Sequence, residues 1–155
     1  MKKYELYRET LLPVNIDEAW QFFSNPYNLA EITPKEMDFK VVTKELPSEI
    51  HSGLTILYTV KPLANVPLKW LSKIREVEAP YRFVDEQLKG PYAYWYHEHT
   101  FEEKEGLTVM KDKITYAVPM GWLGQLANTL LVRRKLEQIF DYRSQKILKL
   151  FKGIG

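Results

Sequence analysis

From residue 38 to residue 118 apolar and polar residues alternate almost without interruption, and after Pro119 the period lengthens to three or four. Alternation marks half-buried strands, and the longer period marks an amphipathic helix. A first strand comes earlier, in KYELYRETLL (residues 3–12). PVNIDEAWQFFSN (13–25) then predicts a short helix with Ile16, Ala19, Trp20 and Phe23 on one side. Asn15 caps it, with Glu18 as the reciprocal partner of a capping box. Asn25-Pro26 ends this helix, and YNLAEI before Pro34 predicts a second short one.

Six strands follow: DFKVVTK, GLTILYTVKP, LKWLSKIREVEA, YRFVDEQLKG, YAYWYHEHTFEE and LTVMKDKITYAV. Turn residues bound them and the connections are short, which argues for an antiparallel meander. Beyond PMG, Trp122, Leu123, Leu126, Leu130, Leu131, Leu136, Phe140, Ile147, Leu148 and Phe151 predict one long helix over about residues 122–151. It would span on the order of 45 Å. VRRKLEQIFDYRSQK reads as its solvated charged face. Such a helix must bury its apolar stripe, and the concave face of a curved sheet is the one large surface available. A sheet gripping one helix leaves a gap, and the gap suits a ligand.

Composition narrows this picture. No Gly/Ser linker or repeat divides the 155 residues, so residues 1–155 read as one domain. A formal net charge of +2 gives no electrostatic case for nucleic acid as a partner. The absence of cysteine removes disulfides, thiolate nucleophiles and cysteine-type zinc sites. The first ten residues lack the apolar run of a signal peptide, and no stretch approaches ~20 apolar residues, so the expectation is a cytoplasmic protein without membrane insertion. Aromatic residues reach 14%, enough to build a cavity wall from Tyr and Trp as well as a core.

Three stretches carry a resemblance: PYRFVDEQLKGPYAYWYHEHTF, TVMKDKITYAVPMGWLG and LLVRRKLEQIFDYR. The spacing runs through Phe83, Asp85 and Gln87, then Gly90-Pro91-Tyr92, then Trp95, His97, His99 and Phe101, then Asp112, Tyr116 and Pro119. With this element order, the chain resembles the START and Bet v 1-like superfamily, often called SRPBCC. Within it, the chain looks like the small bacterial ligand-binding SRPBCC domain proteins related to polyketide cyclase/dehydrase. The resemblance covers almost the whole chain. It implies an α+β helix-grip fold: a curved antiparallel sheet of six to seven strands wrapped around a long C-terminal helix, with two short helices after the first strand.

Parity sorts the strand faces. In the last strand Met110, Asp112, Ile114, Tyr116 and Val118 oppose a set containing Lys111 and Lys113, so Asp112 faces inward. Trp95, His97, His99 and Phe101 oppose a set containing Glu98 and Glu102, so both histidines face inward too. The resemblance groups Phe83, Asp85 and Gln87 with them. Trp70, Ser72 and Ile74, and Leu54, Ile56, Tyr58 and Val60, complete the inner wall.

The HEH stretch at 97–99 admits three readings. Two histidines at i, i+2 with Asp85 or Asp112 could hold a metal, but with no cysteine the expectation is no metal and no cofactor. A His–Asp pair drawn from His97, His99, Asp112 and Asp85 could act as a general base in a cyclase or dehydratase. The third reading is a polar network at the end of a binding cavity. This last is the expected function: a small hydrophobic ligand with a polar group, held between sheet and helix. Trp20, Tyr58, Trp70, Phe83, Trp95 and Tyr116 would form its apolar wall. Ser72, Asp85, Gln87, His97, His99 and Asp112 would supply its polar side. A protein-interaction module with a filled core, using the exposed tips of the long helix, is the remaining alternative. Two further stretches bear on access: Leu63, Val66 and Leu68 between strands could cover a cavity mouth, and Trp122 between glycines could gate it.

Overall fold

A computed structural model describes residues 1–61 and 66–152, the side chain of Trp122 excepted. Strand β1 (Tyr4–Leu12) leads into helix α1 (Ile16–Phe23). Two 3-10 turns, Pro26–Ile32 and Lys35–Met37, replace the single second helix expected from YNLAEI. Pro26 and Pro34 start the two turns, each placing proline where no backbone donor is needed. Six strands follow: β2 (Lys40–Val41), β3 (Thr55–Val60), β4 (Leu68–Glu78), β5 (Arg82–Lys89), β6 (Tyr94–Lys104) and β7 (Leu107–Ala117).

These strands form one seven-stranded antiparallel sheet in the order β1-β7-β6-β5-β4-β3-β2. The meander therefore holds from β2 to β7, and β1 returns to pair with β7 in the register Arg8 to Asp112. Register shifts between β4 and β5, at Leu71/Ser72 and Ile74/Glu76, mark irregularities of the kind that bend a sheet. At α1, Asn15 Oδ1 accepts the Glu18 backbone N–H at 2.9 Å. The Glu18 carboxylate returns to the Asn15 side-chain amide at 3.2 Å, a variant of the reciprocal cap expected.

The C-terminal helix runs as α2 (Gly121–Ala127), a wider π turn (Asn128–Val132) and α3 (Arg133–Lys152). Leu136, Phe140, Arg143, Ile147 and Phe151 are its buried stripe, spaced by four and three and lying against the concave face of the sheet. This is the helix-grip architecture. The π turn admits one extra residue per turn, and within it Asn128 is buried, accepting a 2.8 Å hydrogen bond from the Tyr116 hydroxyl. Two apolar clusters line the grip. One gathers Trp20, Phe83, Phe101, Ile147 and Phe151 beneath α1. The other gathers Tyr58, Trp70, Trp95, Tyr116 and Phe140.

Candidate functional site

Both histidines of β6 face inward, as alternation requires, and both are about 4% exposed. Across the sheet His97 stands opposite Asp85 of β5, and His99 opposite Asp112 of β7. The hydrogen bonds cross this register. His97 Nε2 bonds Asp112 Oδ1 at 2.7 Å, and His99 Nε2 bonds Asp85 Oδ2 at 2.6 Å. The crossing leaves the two rings stacked, with centroids 3.7 Å apart, and Phe83 stacks on the far side of His99 at 4.0 Å. Each carboxylate also approaches the second ring: His97 Nδ1 is 3.7 Å from Asp85 Oδ2, and His99 Nδ1 is 3.4 Å from Asp112 Oδ1. The imidazole pair is thus held between two carboxylates. Arg143, rising from α3, closes the Asp112 side at 3.6 Å.

The charges follow from this geometry. Burial pushes His97 down, and the charge on His99 pushes it further, to about 4, so His97 is neutral. A neutral His97 that donates from Nε2 to Asp112 keeps an unprotonated Nδ1. Burial also works against charge on His99, but its contacts with Asp112 and Asp85 prevail and raise it. Burial would raise Asp112, yet Arg143 and the two imidazoles hold it well below the usual carboxylate range. Asp85 shows the same contest with a smaller net lowering, from His97, His99 and Arg143. Two carboxylates and the Arg143 guanidinium thus surround the neutral ring of His97 and the His99 ring stacked on it.

A cavity of about 430 Å³ lies between the sheet and α3. Eight of the residues anticipated from sequence line it: Tyr58, Trp70, Ser72, Phe83, Asp85, Trp95, His97 and His99. Four do not. Trp20 packs edge-on against Phe83 and Phe101 and donates its indole N–H to Glu49 at 2.8 Å, beneath α1. Gln87 clamps the β5–β6 turn, donating to Tyr92 O at 2.7 Å and accepting from Tyr92 N–H at 3.1 Å. A Cβ at Gly90 would run into the Gln87 amide, so a larger residue there would displace this clamp. Tyr116 is buried against Tyr4 and Asn128. Asp112 lies behind the histidines, 2% exposed.

Arg143 lines the cavity and is 8% exposed, although VRRKLEQIFDYRSQK reads as a solvated face. Its spacing from Leu136, Phe140 and Ile147 was the available signal, since that spacing puts it on the apolar stripe. Tyr92, Phe39 and Leu136 are further lining residues that strand parity did not reach. Val66 is exposed, Leu68 lines the mouth, and Leu63 and the Trp122 side chain lie outside the described residues.

Asp85, His97 and His99 offer three donor atoms within 4.8 Å of one another, the set from which a cation site could be built. The stacked rings, only 23° from parallel, oppose it, because an ion held by two imidazoles lies near the plane of each. The arrangement as it stands suits proton sharing with carboxylates. Among the described residues Trp70 Nε1, Arg143 Nε and His99 Nδ1 are buried without a hydrogen-bond partner. Such donors are uncommon, and each costs roughly 1–3 kcal/mol.

No family model matches the chain, and no curated protein matches it in sequence. Solved structures do match in fold. A START superfamily protein from Mycobacterium smegmatis superposes with a TM-score of 0.70 at 5% identity, covering 97% of this chain and 99% of that one. Ara h 8.0201, a Bet v 1-like protein, gives 0.61 at 16% identity, with 96% and 99% covered. A norcoclaurine synthase point mutant from Thalictrum, in complex with a transition-state analogue, gives 0.65 at 15% identity, with 96% of each chain covered. The chain therefore has the helix-grip fold of the START and Bet v 1-like superfamily. Among the described residues no helix is long and apolar enough to cross a membrane.

Proposed function

We propose that this protein binds a small hydrophobic molecule carrying one polar group in the cavity between the sheet and α3. The observation that carries the reading is the cavity itself. Its volume of about 430 Å³ exceeds the ~300 Å³ at the low end of ligand pockets. A filled core, as an interaction module would have, does not fit that volume. Tyr58, Trp70, Tyr92, Trp95 and Phe140 make much of the wall aromatic. Asp85, His97, His99 and Arg143 form one ionisable cluster on that wall, and Ser72, Asn28 and Thr33 are among the other polar lining residues.

The ligand's polar group meets Asp85 first. Its side chain is 18% exposed, against 5–9% for His97, His99 and Arg143. Asp85 Oδ2 is engaged by His99, and its other oxygen accepts no hydrogen bond among the described residues. A ligand hydroxyl or amine donating to that oxygen fits. The neutral His97 supports binding over proton abstraction, because a base held near 4 draws a proton from carbon poorly at neutral pH. Superfamily neighbours provide precedent for the site class: the norcoclaurine synthase of this fold was solved with a small-molecule analogue.

The test is native mass spectrometry of the purified protein beside the same sample sprayed under denaturing conditions. An added mass that leaves on denaturation supports the proposal and identifies the ligand class. Asp85→Asn, which preserves shape, should then weaken retention of that mass. A clean apo mass, with no thermal stabilisation by any amphipathic alcohol, amine or acid in a library, would remove the proposal. A cyclase or dehydratase would instead keep binding on Asp85→Asn and lose turnover.

A further inference from the structure

Among the described residues that line the cavity, those that are exposed are all apolar: Leu68, Pro119, Met120, Leu123 and Ala127. The mouth therefore opens at the start of the C-terminal helix. The apolar surface does not stop at the rim. Leu126, Leu130 and Leu131 continue it along α2 and the π turn, and Leu123, Leu126, Leu130 and Leu131 are 46–68% exposed. Large apolar side chains on adjacent turns of one helix make a patch, and such a patch marks an interaction surface. The π turn sustains it, since the Asn128 that faces inward to Tyr116 sits in the same turn as the outward Leu130 and Leu131.

Charge decides what covers the patch. No Asp or Glu occurs between Lys113 and Leu136, while Arg133, Arg134 and Lys135 follow the apolar run directly. Arg133 is committed to Glu137 at 3.1 Å, but Arg134 is exposed, and Lys135 stands half-buried at the cavity wall. At the other end of α2, Lys2 lies beside Met120 and Gly121, and Lys3 follows it in sequence. An apolar stripe with cations at both ends and no acid within it matches an anionic lipid surface, where basic side chains meet headgroups and leucines enter the acyl boundary. A second copy of the chain would set these cations against each other.

We propose that the face formed by Met120, Leu123, Leu126, Leu130 and Leu131, with Lys2, Arg134 and Lys135, docks peripherally on an anionic lipid bilayer and sets the cavity mouth against it. Docking of this kind places the helix in the interface and requires no spanning segment. It goes beyond the ligand-binding proposal and does not depend on it, because the leucines and cations are on the surface whether or not the cavity is filled.

The test is flotation of the full chain with vesicles of phosphatidylcholine alone, and of phosphatidylcholine with a minority of phosphatidylglycerol. Binding is expected to the mixed vesicles, to weaken with salt, and to be near absent on phosphatidylcholine alone. The pair Leu126→Glu and Leu130→Glu should abolish it with an unchanged circular dichroism spectrum. The pair Arg134→Glu and Lys135→Glu leaves the leucines in place and should weaken binding by at least roughly thirtyfold, from about 1 kcal/mol for each basic residue lost. Failure of the folded wild type to float with anionic vesicles would overturn the proposal. So would a wild-type dimer that the two leucine substitutions turn into a monomer, since a second copy would then cover the patch. Native mass spectrometry reads the cavity independently, so the two proposals fail separately.

Discussion

The two parts of the C-terminal helix are both rich in apolar residues, but only the second buries them. In α3, Leu136, Phe140, Ile147 and Phe151 are 0–4% exposed, whereas in α2 and the π turn Leu123, Leu126, Leu130 and Leu131 are 46–68% exposed. The two parts differ in what lies beneath them. Under α3 the concave sheet offers Trp95, Ile114, Met110 and the histidine network. Under α2 lies the cavity mouth. An apolar stripe is buried when there is a surface to receive it, and is otherwise left for a partner. Gly124 shows how closely α2 still approaches the strand end, since a Cβ there would collide with the Pro119 carbonyl oxygen.

The contrast can be broken most severely from the α3 side. Asp112 touches His97, His99 and Arg143, so Asp112→Asn removes the buried anion that faces the Arg143 guanidinium and both imidazoles. A loss of about 3–5 kcal/mol in urea unfolding is expected, and a loss under 1 kcal/mol would mean the network is not charged as described. Next comes Ile147→Ala, which opens a hole in the fully buried stripe and should remove about 2–5 kcal/mol.

The pH profile sharpens the same point. Native His97 accepts a proton only near pH 4, whereas in the unfolded chain it does so near ~6.5. Between those values the unfolded chain binds more protons, so stability should fall by on the order of 3 kcal/mol as pH is lowered from ~6.5 to ~4. Asp112 and Asp85, both held low, extend the loss further into acid. His99 runs the other way: its raised value gives stability that is present in mild acid and lost as pH rises through the folded value. Denaturant midpoints collected across that range would expose a charged His97 by their flatness between pH 4 and 6.5.

Smaller effects belong to α2. Tyr116→Phe removes the 2.8 Å bond to buried Asn128 and leaves that amide without its partner, for about 1–2 kcal/mol, and should loosen hydrogen-exchange protection in the π turn first. Leu130→Ala should change stability by less than about 0.5 kcal/mol, because its side chain is already in water. If Leu130→Ala matched Ile147→Ala, the distinction between the two parts of the helix would collapse.

Much of the site was legible in the strands, because side-chain alternation is a local property. Lys111 and Lys113 on one face of β7 forced Asp112 onto the other, and Glu98 and Glu102 did the same for His97 and His99. The resemblance, and not alternation, grouped Gln87 with the histidines, and it did not reveal the task of Gln87, because the turn it clamps is set by the backbone at Tyr92. Trp20 faces the core as helical spacing requires, yet it packs against Phe83 and Phe101 and does not line the cavity. Arg143 sits on the apolar stripe despite its charge because a carboxylate on β7, Asp112, awaits it, and that partnership spans 31 positions of sequence.

The sequence by itself determined the order of elements, the inward faces of β6 and β7 and the amphipathic character of the last helix, all of which follow from local periodicity along the chain. Tertiary structure alone decided which carboxylate each histidine takes, how the two rings stack, where the cavity opens and which leucines stay outside. Those outcomes depend on strand register, sheet curvature and the π turn, which bring residues together across distances that no local pattern encodes.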